Sequence, residues 1–194
     1  MLRKLSEFFG NHRAPSGYRP GVTLEHVRRN LGDMQFVSLE PSRGQFALTD
    51  GTLSFEVQER TQSELLMHLV LSDFQLKVAS QGQGMACIDI RHTGLLQRQD
   101  IRCRASSGDE QTLAPLVEVL QHDTELHEAL MPLDFKRLQI KREKDQWLVT
   151  LEHMAASEVV NRMPSFRRYI RLSDEQRNAL VASLMALQRI LRCY

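Results

Sequence analysis

The segment His122-Asp123-Thr124-Glu125-Leu126-His127-Glu128 brings together imidazoles and carboxylates, the side chains from which metal sites and acid–base pairs are made. Its spacing argues against that chemistry. On a helix, five residues turn the second imidazole about 140° from the first, whereas a helical zinc pair sits four residues apart on one face. The segment reads as a solvated acidic surface. His68 and His153 lie in apolar, strand-like runs and read as core or sheet-edge histidines. Glu152, His153 and Glu158 form the one cluster that could serve an enzyme. Such a site would need a deep pocket holding a titratable group of perturbed pKa.

Nucleophiles and phosphate loops fare no better. The chain has no Gly-x-Ser-x-Gly elbow, and no cysteine stands at a helix start that would lower its pKa. Gly82-Gln83-Gly84 lacks the third glycine and following helix of a dinucleotide fingerprint and reads as a hairpin. Ser106-Ser107-Gly108 precedes a helix, where free amides can hold an anion, but Asp109 and Glu110 follow and oppose one. Cys87, Cys103 and Cys193 are an odd number with no short spacing, so neither a disulfide framework nor a metal site is implied. Cys87 and Cys103 read as small buried hydrophobes, and the reducing cytosol is the expected compartment. No catalytic residue, metal or cofactor is assigned.

Charge is the feature that rises above background. The 25 Lys plus Arg and 24 Asp plus Glu nearly cancel, which gives no global pull toward nucleic acid or acidic membranes. Their distribution is uneven. Residues 1–30 carry Arg3, Lys4, Arg13, Arg19, Arg28 and Arg29; residues 162–171 carry Arg162, Arg167, Arg168 and Arg171 among Phe166 and Tyr169. Residues 109–128 carry Asp109, Glu110, Glu118, Asp123, Glu125 and Glu128 with no Lys or Arg. Lys77, Arg91, Arg102, Arg104 and Lys141 fall on the wet phase of strand-like runs and would form a basic sheet face if those strands were neighbours. The bland alternative is an ordinary surface of local ion pairs. Arginines beside aromatics suit stacking on single strands, but two aromatics and a pI of 7.8 argue against nucleic acid.

The elements that would position these groups follow from periodicity. Leu2, Leu5, Phe8 and Phe9 fall on one side of a short amphipathic segment that could touch a membrane beside Arg3 and Lys4, though weakly at that length. Residues 14–21 form a linker with two prolines and two glycines, so residues 1–22 are expected to be an appendage to one domain spanning 23–194. Thr23 reads as the cap of a helix over Leu24–Leu31, stopped by Gly32. From Met34 to Ala105 the period is two, with turns at Asp50-Gly51, Gln81 to Gly84 and Thr93-Gly94. Connections this short are expected to join antiparallel neighbours. Glu64 to Leu71 is taken as strand.

Leu113, Leu116, Val117 and Leu120 mark a helix, whose cap is placed near Thr112 because Pro115 suits only a first turn. A short helix over Thr124–Met131 follows, then two strands around Leu138/Ile140 and Trp147/Val149/Leu151, with Lys144-Asp145 as their turn. Ser173 opens a capping box with Gln176, and Leu180, Leu184, Leu187 and Leu191 form the buried stripe of a C-terminal helix. That stripe is a lid over the sheet or, alternatively, the seam of a homodimer, although two heptads fall short of a coiled coil.

The run LDFKRLQIKREKDQWLVTLEHMAASEVVNRMP, followed by FRRYIRLSDEQ, resembles an uncharacterised bacterial family of unknown function over roughly the last 90 residues. The resemblance implies a small bacterial protein and transfers no site residues.

The expectation is therefore a soluble, cytoplasmic α+β protein. A curved antiparallel sheet of about seven or eight strands would pack against central and C-terminal helices. Its leading function is non-enzymatic binding of an acidic protein or anionic ligand through Arg91, Arg102, Arg104, Arg162, Arg167, Arg168 and Arg171.

Overall fold

A computed structural model describes residues 17–63, 67–94, 99–162 and 165–194. The amphipathic segment with Leu2, Leu5, Phe8 and Phe9 lies outside them. Within them the chain forms helix α1 (Val22–Leu31), strands β1 (Gln35–Glu40), β2 (Arg43–Ala47), β3 (Ser54–Ser63), β4 (Met67–Ala79), β5 (Ala86–Thr93) and β6 (Asp100–Ser107), and helices α2 (Glu110–His122) and α3 (Thr124–Leu130). Strands β7 (Phe135–Glu143), β8 (Gln146–His153), β9 (Ser157–Arg162) and β10 (Ser165–Ile170) and helix α4 (Asp174–Leu191) complete it.

All strands join one open antiparallel sheet in the order β1-β2-β3-β4-β8-β7-β5-β6, with β9 also on β4 and β10 on β9. Ten strands exceed the expected seven or eight. The additions are those without apolar alternation: β1, exposed over most of its length, and the arginine-bearing β9–β10 hairpin. Strand β4 runs the length of the sheet. Its second half pairs with β8 over Asp73–Ala79 and its first four residues pair with β9. At the junction Ala156 adopts φ 61, and its carbonyl accepts the Ser72 hydroxyl at 2.6 Å.

The Gln81–Gly84 segment is not a hairpin. Strands β4 and β5 are separated by β8 and β7, because the later β7–β8 hairpin inserts between them. The loop spans that gap with local anchors: the Arg142 guanidinium donates to the carbonyls of Gly84 and Gln83, and the Tyr194 carbonyl accepts the amides of Gln81 and Gly82. A Cβ on Gly82 would meet that guanidinium, so a larger residue there would have to displace the Arg142 side chain.

One face of the sheet is apolar. Phe55, Phe74, Leu76, Trp147, Val149, Ile88 and Ile140 are each at most 2% exposed beneath the helices. Helix α4 supplies Leu180, Leu184, Leu187 and Leu191 to this core, each removed from water, and the Ser173–Gln176 capping box fixes its start. Burying each such leucine is worth about 1.5–3 kcal/mol. Two helix starts differ from expectation. Helix α2 begins at Glu110 behind an Asp109 cap, which places Pro115 inside the helix, where it has no amide to offer the carbonyl one turn back. Helix α1 begins behind Gly21 at φ 88, and Thr23 lies inside it.

Candidate functional site

Helix α1 has no capping side chain of its own, and strand β3 supplies one. Glu59 continues the inward phase of Phe55 and Val57, so a carboxylate is delivered to the core face. It accepts the amides of Gly21 at 3.0 Å and Leu24 at 2.7 Å, and the Tyr18 hydroxyl at 2.7 Å. Burial and the Glu59 carboxylate push the Tyr18 phenol well above its usual range. On β9, Glu158 receives the Thr23 hydroxyl at 3.2 Å and the Arg167 guanidinium at 3.2 Å. Negative charge at a helix N-terminus is favourable; Glu59 is held by hydrogen bonds and Glu158 by the Arg167 guanidinium. This cluster anchors the helix.

The candidate enzymatic cluster is dispersed by strand alternation. His153 faces the core with no exposed surface, Glu152 faces the opposite side, and Glu158 lies beyond the Ala156 kink at helix α1. Both His153 ring nitrogens lie within hydrogen-bond distance of backbone amides, Asp134 at 2.8 Å and Ala155 at 3.0 Å. His127 pairs with Asp100 at 3.1 Å, and His122 contacts the Glu118 carbonyl. Among the described residues no group of His, Cys, Asp and Glu is arranged to hold a metal ion.

The outer face of the sheet carries charge in rows that cross the strands. One row runs Lys77, Leu148, Lys141, Cys87; a second runs Gln75, Thr150, Gln139, Asp89, Arg104. A third has Asp73 opposite Glu152, Glu152 opposite Arg137, and, further along, Arg91 opposite Arg102. The strands bearing Lys77, Lys141, Arg91, Arg102 and Arg104 thus belong to one contiguous run, β4-β8-β7-β5-β6.

The two halves of this face differ. On β3, β4, β8 and β7 the carboxylates of Asp73 and Glu152 are 5% and 3% exposed, roofed by cations. Arg60 donates to Asp73 at 3.2 Å and also to Glu152; Arg137 donates to Asp73 at 3.1 Å; Lys136 stands 3.9 Å from Glu152. On β5 and β6, Arg91 and Arg102 face each other, and among the described residues neither they nor Arg104 make an ion pair. Asp89 is directly opposite Arg104, but its carboxylate accepts the Gln139 amide at 2.9 Å on the other neighbouring strand. With Asp89, His92, Thr93 and Ser106 these arginines line a hollow of 610 Å³. A neighbouring hollow of 640 Å³ is shared by Arg91 and the paired charges Arg60, Arg137 and Glu152.

The second arginine group sits on another branch of the sheet. Arg167 faces the core side and is tied to Glu158 and the Gly17 carbonyl. Arg168 is exposed on β10 opposite Val159, and Arg171 is exposed beyond that strand. The side chain of Arg162 lies outside the described residues. Glu59 and Asp73 were not singled out from sequence, although a carboxylate in the phase of Phe55 and Val57 was the available signal for the first.

The architecture defines an α+β protein with an open antiparallel sheet, one face roofed by helices and the other, among the described residues, charged and without a covering helix. The chain belongs to the family described as a protein of unknown function (DUF3156), whose model matches residues 29–191, well beyond the last 90 residues that carried the resemblance. No curated protein and no solved structure matches it. Among the described residues no helix is long and apolar enough to cross a membrane.

Proposed function

We propose that the chain is a non-enzymatic binding domain, residues 1–22 being an appendage to it, that receives an anionic group of carboxylate or phosphate type on the outer face of β5 and β6. One observation carries this reading: Arg91 and Arg102 stand directly opposite each other, with Arg104 two pairs along, and none of the three makes an ion pair among the described residues, Asp89 opposite Arg104 being bonded to Gln139. Like charges opposite each other destabilise a sheet, so the arrangement serves something other than folding. A bound anion would relieve the repulsion and form charge-assisted hydrogen bonds, for which arginine's planar fork is suited. Arg168 and Arg171 are held as a secondary basic surface. A cytosolic, bacterial setting fits the unpaired thiols of Cys87, Cys103 and Cys193 and the family resemblance.

Calorimetric titration with inorganic pyrophosphate and with hexaglutamate, at low salt, tests the reading. Both should bind, more weakly as salt rises, and the Arg91→Ala/Arg102→Ala double variant should lose at least tenfold in affinity. Binding unchanged in that variant would overturn the assignment.

A further inference from the structure

Strand β6 ends the sheet, so one row of its backbone amides and carbonyls has no neighbouring strand. Such an edge is a template for pairing with another chain. Part of it is closed from within. The Gln121 side chain on α2 accepts the Cys103 amide at 2.8 Å and donates to the Ile101 carbonyl at 2.6 Å, imitating a paired strand.

Backbone groups of alternate residues point to the same edge of an antiparallel strand. Those of Ala105 therefore point outward as those of Cys103 do, and among the described residues they have no partner. Here β6 and α2 enclose a hollow of 690 Å³ whose walls include Cys103, Ala105, Ala114 and Val117, with Arg104 on the strand side and Glu110 and Glu118 on the helix side, so the residue that enters it must be uncharged.

We propose that this edge accepts an extended segment of another protein in which acidic and small apolar residues alternate. The proposal rests on the anion-binding reading of Arg102 and Arg104 and adds a strand to it. A residue opposite Ala105 would exchange two backbone hydrogen bonds with it and turn its side chain toward Ala114 and Val117. Its two neighbours would turn to the outer face, one opposite Arg104, which makes no ion pair among the described residues, and the other opposite Ser106, while Arg102 lies within the stretch that Gln121 closes. The pleat thus selects the alternation, and Gln121 limits how far the added strand can extend.

The probe is an acetylated octapeptide of alternating glutamate and valine, titrated beside pyrophosphate. Ala105→Pro removes the outward amide at an edge position where proline is tolerated. It should cut affinity for the octapeptide at least fivefold and leave pyrophosphate binding unchanged. The octapeptide N-methylated at its valines should lose binding to the unaltered protein by a similar factor, and Gln121→Ala, by freeing the Cys103 amide and Ile101 carbonyl, should tighten it severalfold. Pyrophosphate binding with no preference for the unmethylated octapeptide would overturn strand addition and leave the anion site standing. Binding of neither probe would overturn both.

Discussion

The two halves of the outer face carry the same residue type under opposite conditions. Arg60 and Arg137 cover the carboxylates of Asp73 and Glu152, so there the arginines belong to the structure. Arg91 and Arg102, on β5 and β6, oppose each other, and among the described residues neither makes an ion pair. What separates a structural arginine from a candidate binding arginine is whether a carboxylate accepts from it: Asp73 and Glu152 accept from Arg60 and Arg137, whereas Asp89, opposite Arg104, accepts from Gln139 instead. Counting charges cannot make that distinction.

The comparison breaks most sharply at Arg60. Arg60→Met strands two buried carboxylates, and unfolding in urea should show a loss of about 2–3 kcal/mol; the partial exposure of Arg60 and the remaining Arg137 and Lys136 keep it below the full cost of an orphaned buried charge. By contrast, Arg91→Met or Arg102→Met should leave stability unchanged or raise it by up to about 0.5 kcal/mol, since a repulsive pair is removed. Equal losses at the two places would end the distinction. A smaller effect is expected at Glu59. Glu59→Ala removes the acceptor for two helix amides and the Tyr18 hydroxyl, and should cost about 1–2 kcal/mol.

Alkaline pH sharpens the contrast further, because guanidinium groups keep their charge throughout. Burial, aided by the charge of Asp100, pushes the Cys103 thiol up to about 12 from 9.0. Burial also raises the phenols of Tyr18 and Tyr169. In the unfolded chain these groups release their protons first, so the folded state binds more protons above about pH 9 and stability falls as pH rises from there. Thermal unfolding between pH 8 and about 11 should show that decline, and Cys103→Ala should make it shallower. The same burial predicts that a thiol reagent modifies the exposed Cys193 far faster than Cys103 in the folded protein.

Much of this was legible in the residues, for physical reasons that also mark where legibility ends. Strands with one apolar phase, such as Phe55/Val57 or Trp147/Val149/Leu151, declare themselves because burial on one side demands alternation. The α4 leucine stripe and its Ser173 box are equally local. Strands β9 and β10 do not declare themselves: residues 162–171 read only as a basic segment and Glu158 as part of a candidate cluster, since Arg167 and Glu158 satisfy each other instead of showing an apolar phase. The β4–β5 connection misled because short spacing implies adjacency, and insertion of β7–β8 is settled by partners some 60 residues away. Of the site, the outward phase of Arg91, Arg102 and Arg104 could be read directly. That Asp89 turns toward Gln139, leaving Arg104 unpaired, depends on which strand lies beside β5.

The central claim is that the β5–β6 half of the outer face is the binding half. Titrating hexaglutamate into isotopically labelled protein and following backbone amide resonances tests it most directly. The account predicts the largest shifts at Arg91, Arg102 and Arg104, with Arg60 and Arg137 unmoved. Shifts concentrated at Arg60 and Arg137, at Arg168 and Arg171, or nowhere, would contradict it.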